Sequence, residues 1–597
     1  MNTGRKRWRF PYWLSSLIGV ATLVYPLLAQ AQEPAGQIVF LPLIESPNPC
    51  VELAPAEPAE EVDPSCPPPG SSSGVARGDF NGDGIADLAV GVPHEDISPS
   101  AGIVIRDAGA VSVIYGSANG LTADNNQLWH QNSAGVEGEV EPYDFFGSPL
   151  AAGEFNGDKY VDLAIGIPGE DVGNISNAGA VAVLYGGPNG LSAANNQLWN
   201  QGNGVSGVLL DSPETDDYFG AALAWGDFNK DAIGDLAIGV RNEDLVTGSG
   251  NTITNAGAVS ILYGSTNRLT PAGNQLWTQN NPNILNVGED QDLFGYALTG
   301  GDFNGDSYGD LAIGVPHEDL TTANGSAIIN AGAVSVLYGS PNGLSATAGP
   351  GNQFWSQGTA GIQEIAEAGD FFGQVLTAAD FNRDGRSDLA IGVPVEDLGG
   401  LLNAGAVNII YGSPAGLTND GDELFTQDSS GTDGEVEDVA ETQDRFGSAL
   451  AAGDFDGDGY RDLAIGVPYE DNRVYFLGPN YIDFVDAGGV NILHGYGAGL
   501  TTDPGNFIYE QDVHHPAFPC CMYHNNHFGA SLTAWNFGKG SQADLAIGVP
   551  GHDRNAGQVD LFYGPVSNSS TVTQAWNQDT PGIEGEAEAG DEFGSAV

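Results

Sequence analysis

Six nine-residue segments place oxygen-bearing side chains at their first, third, fifth and ninth positions. They are Asp79, Asn81, Asp83 and Asp87; Glu154, Asn156, Asp158 and Asp162; Asp227, Asn229, Asp231 and Asp235; Asp302, Asn304, Asp306 and Asp310; Asp380, Asn382, Asp384 and Asp388; and Asp454, Asp456, Asp458 and Asp462. Calcium takes roughly six to eight hard oxygen ligands and suits a tight, flexible loop. The backbone carbonyl of the seventh residue completes such a set: Ile85, Tyr160, Ile233, Tyr308, Arg386 or Tyr460. One match is an ordinary acidic turn. Six in register predict up to six Ca2+ sites, because carboxylates gathered without a cation repel one another. Magnesium, which dehydrates reluctantly, fits such cages less well.

The six loops are not equivalent. Gly84, Gly385 and Gly459 at the sixth position accept a positive φ, whereas Lys159, Ala232 and Ser307 at that position carry strain. Lys159 and Lys230 also bring positive charge close. The loops at 79–87, 380–388 and 454–462 are therefore the most secure. A seventh copy, Asn536 to Asp544, keeps one carboxylate and is expected to bind nothing.

The elements that must position these loops recur with them. The loop starts are spaced by 75, 73, 75, 78, 74 and 82 residues. Each loop runs into Asp-Leu-Ala-(Ile/Val)-Gly, then a segment usually holding Glu-Asp, then Ala-Gly-x-Val ending mostly in Tyr-Gly. A last run, such as Gln127-Leu128-Trp129, closes the unit. Four short β-prone runs separated by Gly, Asn and Pro turns make one unit, and helical periodicity is absent. The units predict an all-β, seven-bladed β-propeller of four-stranded blades with calcium-binding loops. The competing parallel β-helix has shorter rungs. Blades begin near 71, 144, 217, 292, 370, 444 and 526 within a propeller spanning 73–597. Residues 591–597 open an eighth copy. Either that tail completes the first unit, or a longer protein continues beyond it.

These residues resemble the FG-GAP repeat family, which includes the propeller of integrin α subunits. Phe-Gly appears at Phe146, Phe219, Phe294, Phe372, Phe446, Phe528 and Phe593, and Gly-(Val/Ile)-Pro at Gly91, Gly166, Gly314, Gly392, Gly466 and Gly548. The third unit departs, with Arg241 in place of Pro. The resemblance implies a seven-bladed propeller with calcium between the first two strands of a blade. It also implies a partner bound on the face away from the calcium.

Composition narrows the function. With 17 Lys+Arg against 78 Asp+Glu, the net charge is −61, so nucleic acid, which needs cationic cover, is excluded as a partner. Arg5 to Arg9 precede an apolar stretch, Tyr12 to Leu28, and an Ala29-Gln30-Ala31 cleavage site. Residues 1–31 therefore read as a signal peptide, directing the chain outside the cell or to its surface with no membrane span after cleavage. Residues 32–72 read as a Pro/Glu-rich linker, whose Cys50 and Cys66 could pair in an oxidising compartment.

No phosphate loop, nucleophile elbow or zincin motif is present, so the expected function is binding or cell adhesion without catalysis. An extracellular protein or glycan is the expected ligand. The alternative is a lectin-like propeller using Trp129, Trp199, Trp277, Trp355 and Trp576, although packing in the outer strands explains that series more simply. An extracellular hydrolase ranks below both. Arg77-Gly78-Asp79 spells an adhesive tripeptide, but Asp79 is already committed to its loop. The repeated Glu-Asp pairs, as at Glu95-Asp96, and the Asp two places before Phe-Gly read as structural or cation-related. One insertion, His514 to His527, carries Cys520, Cys521, Met522 and four histidines. Those are ligand types for copper or zinc, and equally those of a stiff surface loop.

Overall fold

A computed structural model describes residues 77–597 except 101, 205–206, 323, 430–438, 476–480, 503–523 and 567–573. The expected signal peptide, linker, cysteines and most of the 514–527 insertion lie outside the described residues. Among the described residues, no helix is long and apolar enough to cross a membrane.

Seven four-stranded antiparallel sheets follow one another along the chain, each a simple meander. In the second blade the strands are Leu150–Gly153, Asp162–Ile167, Ala180–Tyr185 and Ser192–Trp199. The second and third strands, such as Asp162–Ile167 and Ala180–Tyr185, are buried along their whole length. A continuous Val/Ile/Leu/Ala run is what a strand covered on both faces requires, because each blade is sandwiched between two others. The outer strand is instead mostly half-buried with an exposed pair in its middle, as in Thr122–Trp129.

Each apolar cluster joins two successive blades. One packs Val113 and Tyr115 of the first blade against Leu163, Ile165 and Leu184 of the second. Another packs Leu88 and Val90 of the first against Val559, Leu561 and Trp576 of the last. Small residues recur where inner strands crowd the axis. A Cβ on Gly300 would stand 2.4 Å from the Trp225 carbonyl oxygen, so glycine is required there.

The inner strand of the first blade is assembled from both ends of this ring. Arg77–Gly78 pairs with Leu88 and Asp87. The tail pairs with the same partner strand: the Gly91 amide donates to the Ala596 carbonyl at 2.7 Å and the Gly594 amide to the Gly91 carbonyl at 3.2 Å. The Phe146 amide, entering the second blade, donates to the Ala108 carbonyl of the first, and Phe593 repeats that bond on Ala556 of the last blade. Val597 is buried in the first-to-last cluster. The tail thus completes the inner strand of the first blade.

Candidate metal centres

All six acidic loops join the inner strand of a blade to its second strand. In an antiparallel meander this puts them on one face with the short loops between third and outer strands. The first residue folds its carboxylate back over the turn. Asp79 accepts the amides of Asp83 at 2.9 Å and Gly84 at 2.7 Å. Asp227 does the same for Asp231 and Ala232, Asp302 for Asp306 and Ser307, and Asp380 for Asp384 and Gly385. Glu154, one methylene longer, accepts Asn156 and Asp158 through Oε1. The fifth residue accepts the amide of the seventh throughout, at Ile85, Tyr160, Ile233, Tyr308, Arg386 and Tyr460. The first and fifth side chains thus fold back over the turn.

The backbone meets the expected conformational demand. The sixth residue is left-handed in all six loops, at φ +89 for Gly84, 80 for Lys159, 67 for Ala232 and 67 for Ser307. The fourth residue is left-handed too, including Lys230 and Arg383 at φ 60 and 57. That second demand falls on glycine in four loops and on Lys230 and Arg383 in the other two.

The ninth residue behaves differently from the others. Asp87 is fully buried, and its two oxygens accept the Phe80 and Gly116 amides, both at 2.9 Å. Asp544, in the decayed seventh loop, keeps both bonds, to Phe537 at 2.7 Å and Gly564 at 2.8 Å. This aspartate therefore ties the loop to the third strand whether or not the loop is acidic. Burial pushes the Asp87, Asp162, Asp235 and Asp310 carboxyls up to about 8, against the lowering effect of the two backbone amides, and the neighbouring loop carboxylates add to it. Asp388 reaches about 7 by the same causes.

The sixth loop is the most concentrated. Oxygens of Asp454, Asp456 and Asp462 all lie within 4.8 Å of one another, the one such carboxylate triad among the described residues. It exists there because the third position is Asp456, where the other five loops carry Asn. Beside it lies a residue sequence reasoning passed over. His494 Nδ1 is 3.5 Å from Asp462 and 3.7 Å from Asp456. The available signal was a histidine before Gly495, where most units have tyrosine.

Positive charge is distributed less simply than expected. Lys230 leaves its own loop: its Nζ donates to the Asp306 carbonyl at 2.7 Å and lies over the Tyr308 ring. Lys159 lies over the ring of its neighbour Tyr160. Arg386 turns inward, with Nη1 3.1 Å from Asp384 Oδ2, which places a competing cation in the fifth loop.

On the opposite face, the Glu-Asp pairs divide their work. Glu170, Glu243, Glu318 and Glu396 turn inward to a glutamine of the preceding blade. The following aspartates accept a backbone amide across the loop, as Asp319 does from Asn330 at 2.8 Å. Gly78, at the centre of the Arg-Gly-Asp tripeptide, is buried, with space for a Cβ blocked by Val161. Trp199, Trp355 and Trp576 are buried, and Trp129 and Trp277 pack against core clusters.

Seven closed blades with an acidic loop between the first two strands of six of them define a loop-bearing β-propeller. The FG-GAP repeat model matches residues 72–114, 146–184, 219–262, 294–337, 372–410 and 446–478. The chain is an FG-GAP repeat protein whose propeller resembles that of integrin α subunits. It is 28% identical over 308 residues to integrin alpha-PS2 of Drosophila melanogaster, covering 50% of this chain and 18% of that protein. With integrin alpha-5 of Xenopus laevis the identity is 28% over 264 residues, 44% of this chain and 21% of that one. With human phosphatidylinositol-glycan-specific phospholipase D it is 32% over 195 residues, 32% of this chain and 20% of that protein. The chain thus spans about a fifth of the length of these curated relatives.

Proposed function

We propose that this chain is an exported, non-enzymatic binding module that engages a protein ligand through the face opposite its acidic loops, with calcium in up to six loops stiffening the ring. The observation that carries this reading is the placement of exposed apolar side chains. Among the described residues, all exposed large apolar side chains but Trp225, Tyr496 and Trp535 lie on the loops of that opposite face. Val246 is 72% exposed, Val287 63%, Ile365 75% and Val439 63%. Exposed apolar groups gathered on one face mark an interaction surface, and variable loops on a rigid scaffold are where binding usually resides.

The integrin relatives support a partner-binding role, and the phospholipase relative raises an enzymatic one. The match to that phospholipase covers a fifth of it, so its activity is not carried over. A lectin role is weakened by the burial of the tryptophan series. Calcium in the loops is supported by their inward oxygens and by the triad of the sixth loop.

A photo-crosslinking amino acid placed at Ile365, and in a second sample at Asn119 on the loop face, tests the reading on the producing cells. Protein adducts at 365 and none at 119 are expected. Equal adducts at both, or strong sugar binding on a glycan array with none to protein, overturns it.

A further inference from the structure

The face opposite the acidic loops carries a second recurrent set of oxygens. At the junction of the fourth and fifth blades, Gln357 follows the outer strand of one blade, while Asp370 and Glu396 belong to the next. All three are buried, at 4%, 2% and 1% exposure. Gln357 Nε2 donates to Glu396 Oε2 at 2.6 Å. Asp370 Oδ2 accepts the Glu367 amide at 2.5 Å. The same glutamine-to-glutamate bond recurs at five other junctions, including Gln578 to Glu95, which joins the last blade to the first. At the junction of the third and fourth blades, Gln279 hydrogen-bonds both Glu318 and Asp292, so the three side chains converge.

Two features of these clusters favour a bound cation. The first is charge. Burial, and after it the Asp370 charge, pushes the Glu396 carboxyl up to about 8, and among the described residues neither carboxylate has an ion pair with Lys or Arg. Two buried carboxylates without a cation are costly. The second is an orphaned acceptor. Oε1 of the glutamine has no partner at any of the six junctions, and neither does Glu396 Oε1. Buried oxygens normally find a partner. Half a turn of the amide would bring Gln357 Oε1 to the Glu396 carboxylate, where only a positive species relieves the repulsion.

The seventh junction is an internal control. Asn526 stands two places before Phe528-Gly529, where Asp370 stands before Phe372-Gly373. His552 stands where the pattern after Gly-Val-Pro puts Glu396. Both carboxylates are thus replaced together by groups that can be neutral, in the one blade whose loop has also lost its acids. A pair of charges lost as a unit served one ligand of charge about two. Proton sharing would remove only one of the two charges, while a divalent cation removes both.

We propose that each of the six junctions holds a divalent cation between the glutamate and aspartate carboxylates and the glutamine amide oxygen, forming a second tier distinct from the loop sites. All donors are hard oxygens, which suits calcium.

Calcium bound per chain, counted by atomic emission on the full chain at about 1 mM free calcium, near the range for extracellular modules, tests this. The intact protein is expected to retain more equivalents than six loops can hold. The isosteric Asp370→Asn/Glu396→Gln pair is expected to lose one equivalent. It should lower the melting temperature in calcium but not in chelator. Asp292→Asn/Glu318→Gln provides the same readout at another junction should the first variant misfold. Six or fewer equivalents in the intact protein overturns the proposal. So does an unchanged count in a folded junction variant, including one that gains stability because the pair shared a proton. Loss of loop binding alone, read in Asp454→Ala, leaves the junction count in place and so separates the two tiers.

Discussion

The Tyr563 hydroxyl accepts the Leu121 amide at 2.7 Å although the two residues are 442 positions apart. The same hydroxyl donates to Gln574, whose Nε2 donates to the Leu121 carbonyl at 3.0 Å. Tyr115 and Leu191 make the equivalent contact between the first and second blades at 3.2 Å. The closing junction is therefore built like the internal ones. Tyr563→Phe leaves the Leu121 amide without its acceptor in a buried site, which costs about 1–3 kcal/mol. Denaturant unfolding should show that loss with an unchanged slope.

Removing residues 592–597 strips Val597 from the first-to-last cluster and leaves the Gly91 amide and carbonyl unpaired. A lower melting temperature is expected by calorimetry, by about 1 °C for each kcal/mol lost from a ring of this size. An unchanged transition would mean that the tail does not close the ring.

Calcium that binds only the folded ring stabilises it by mass action. Chelation should therefore lower the melting temperature of the intact chain. Asp454→Ala should reproduce part of that drop in calcium and none of it in chelator. A shift of the same size in both buffers would assign the residue to packing alone.

Arg386 competes for the carboxylate that its loop offers to a cation. Replacing it by Leu removes the charge 3.1 Å from Asp384 Oδ2 and keeps the backbone carbonyl. Titration of the fifth loop with terbium should show affinity rising about severalfold at low salt, and less at high salt, because both groups are partly exposed.

His527 packs against Tyr469 with ring centroids 4.9 Å apart and the rings tilted by 47°. Burial, aided by the Arg445 charge, lowers its imidazole to about 4. The unfolded chain binds this proton near pH 6.5 and the folded one does not. The contribution is thus intact above pH 6.5 and is lost as pH falls towards 4, at most about 1.4 kcal/mol per pH unit. His527→Phe should flatten that part of the acid limb in chelator. An identical pH profile for the two proteins would assign the acid sensitivity elsewhere.

The blade count, strand order and loop positions were legible because they repeat. Seven copies of Asp-Leu-Ala-(Ile/Val)-Gly can hardly be anything but one buried strand per blade. The turn-closing carboxylates at positions one and five were legible because their side chains act within nine residues. The double duty of Asp87 was not, since its second partner, Gly116, is 29 residues away. Nor was the inward turn of Arg386, because a long side chain's direction is settled by its neighbours rather than by its position in a pattern. The glutamine partners of Glu170 and Glu396 were not legible either, because they sit in the preceding blade, 39 residues upstream.

The split inner strand of the first blade also sets a mechanical load path. Tension applied between residues 77 and 597 is carried first by Arg77–Gly78 and by the two backbone bonds between Gly91 and the tail. Both segments pair with one strand, so they must slip along it or peel away before any other blade feels the force. The ring would then yield as a clasp, opening at the first blade while the second to sixth keep their shape.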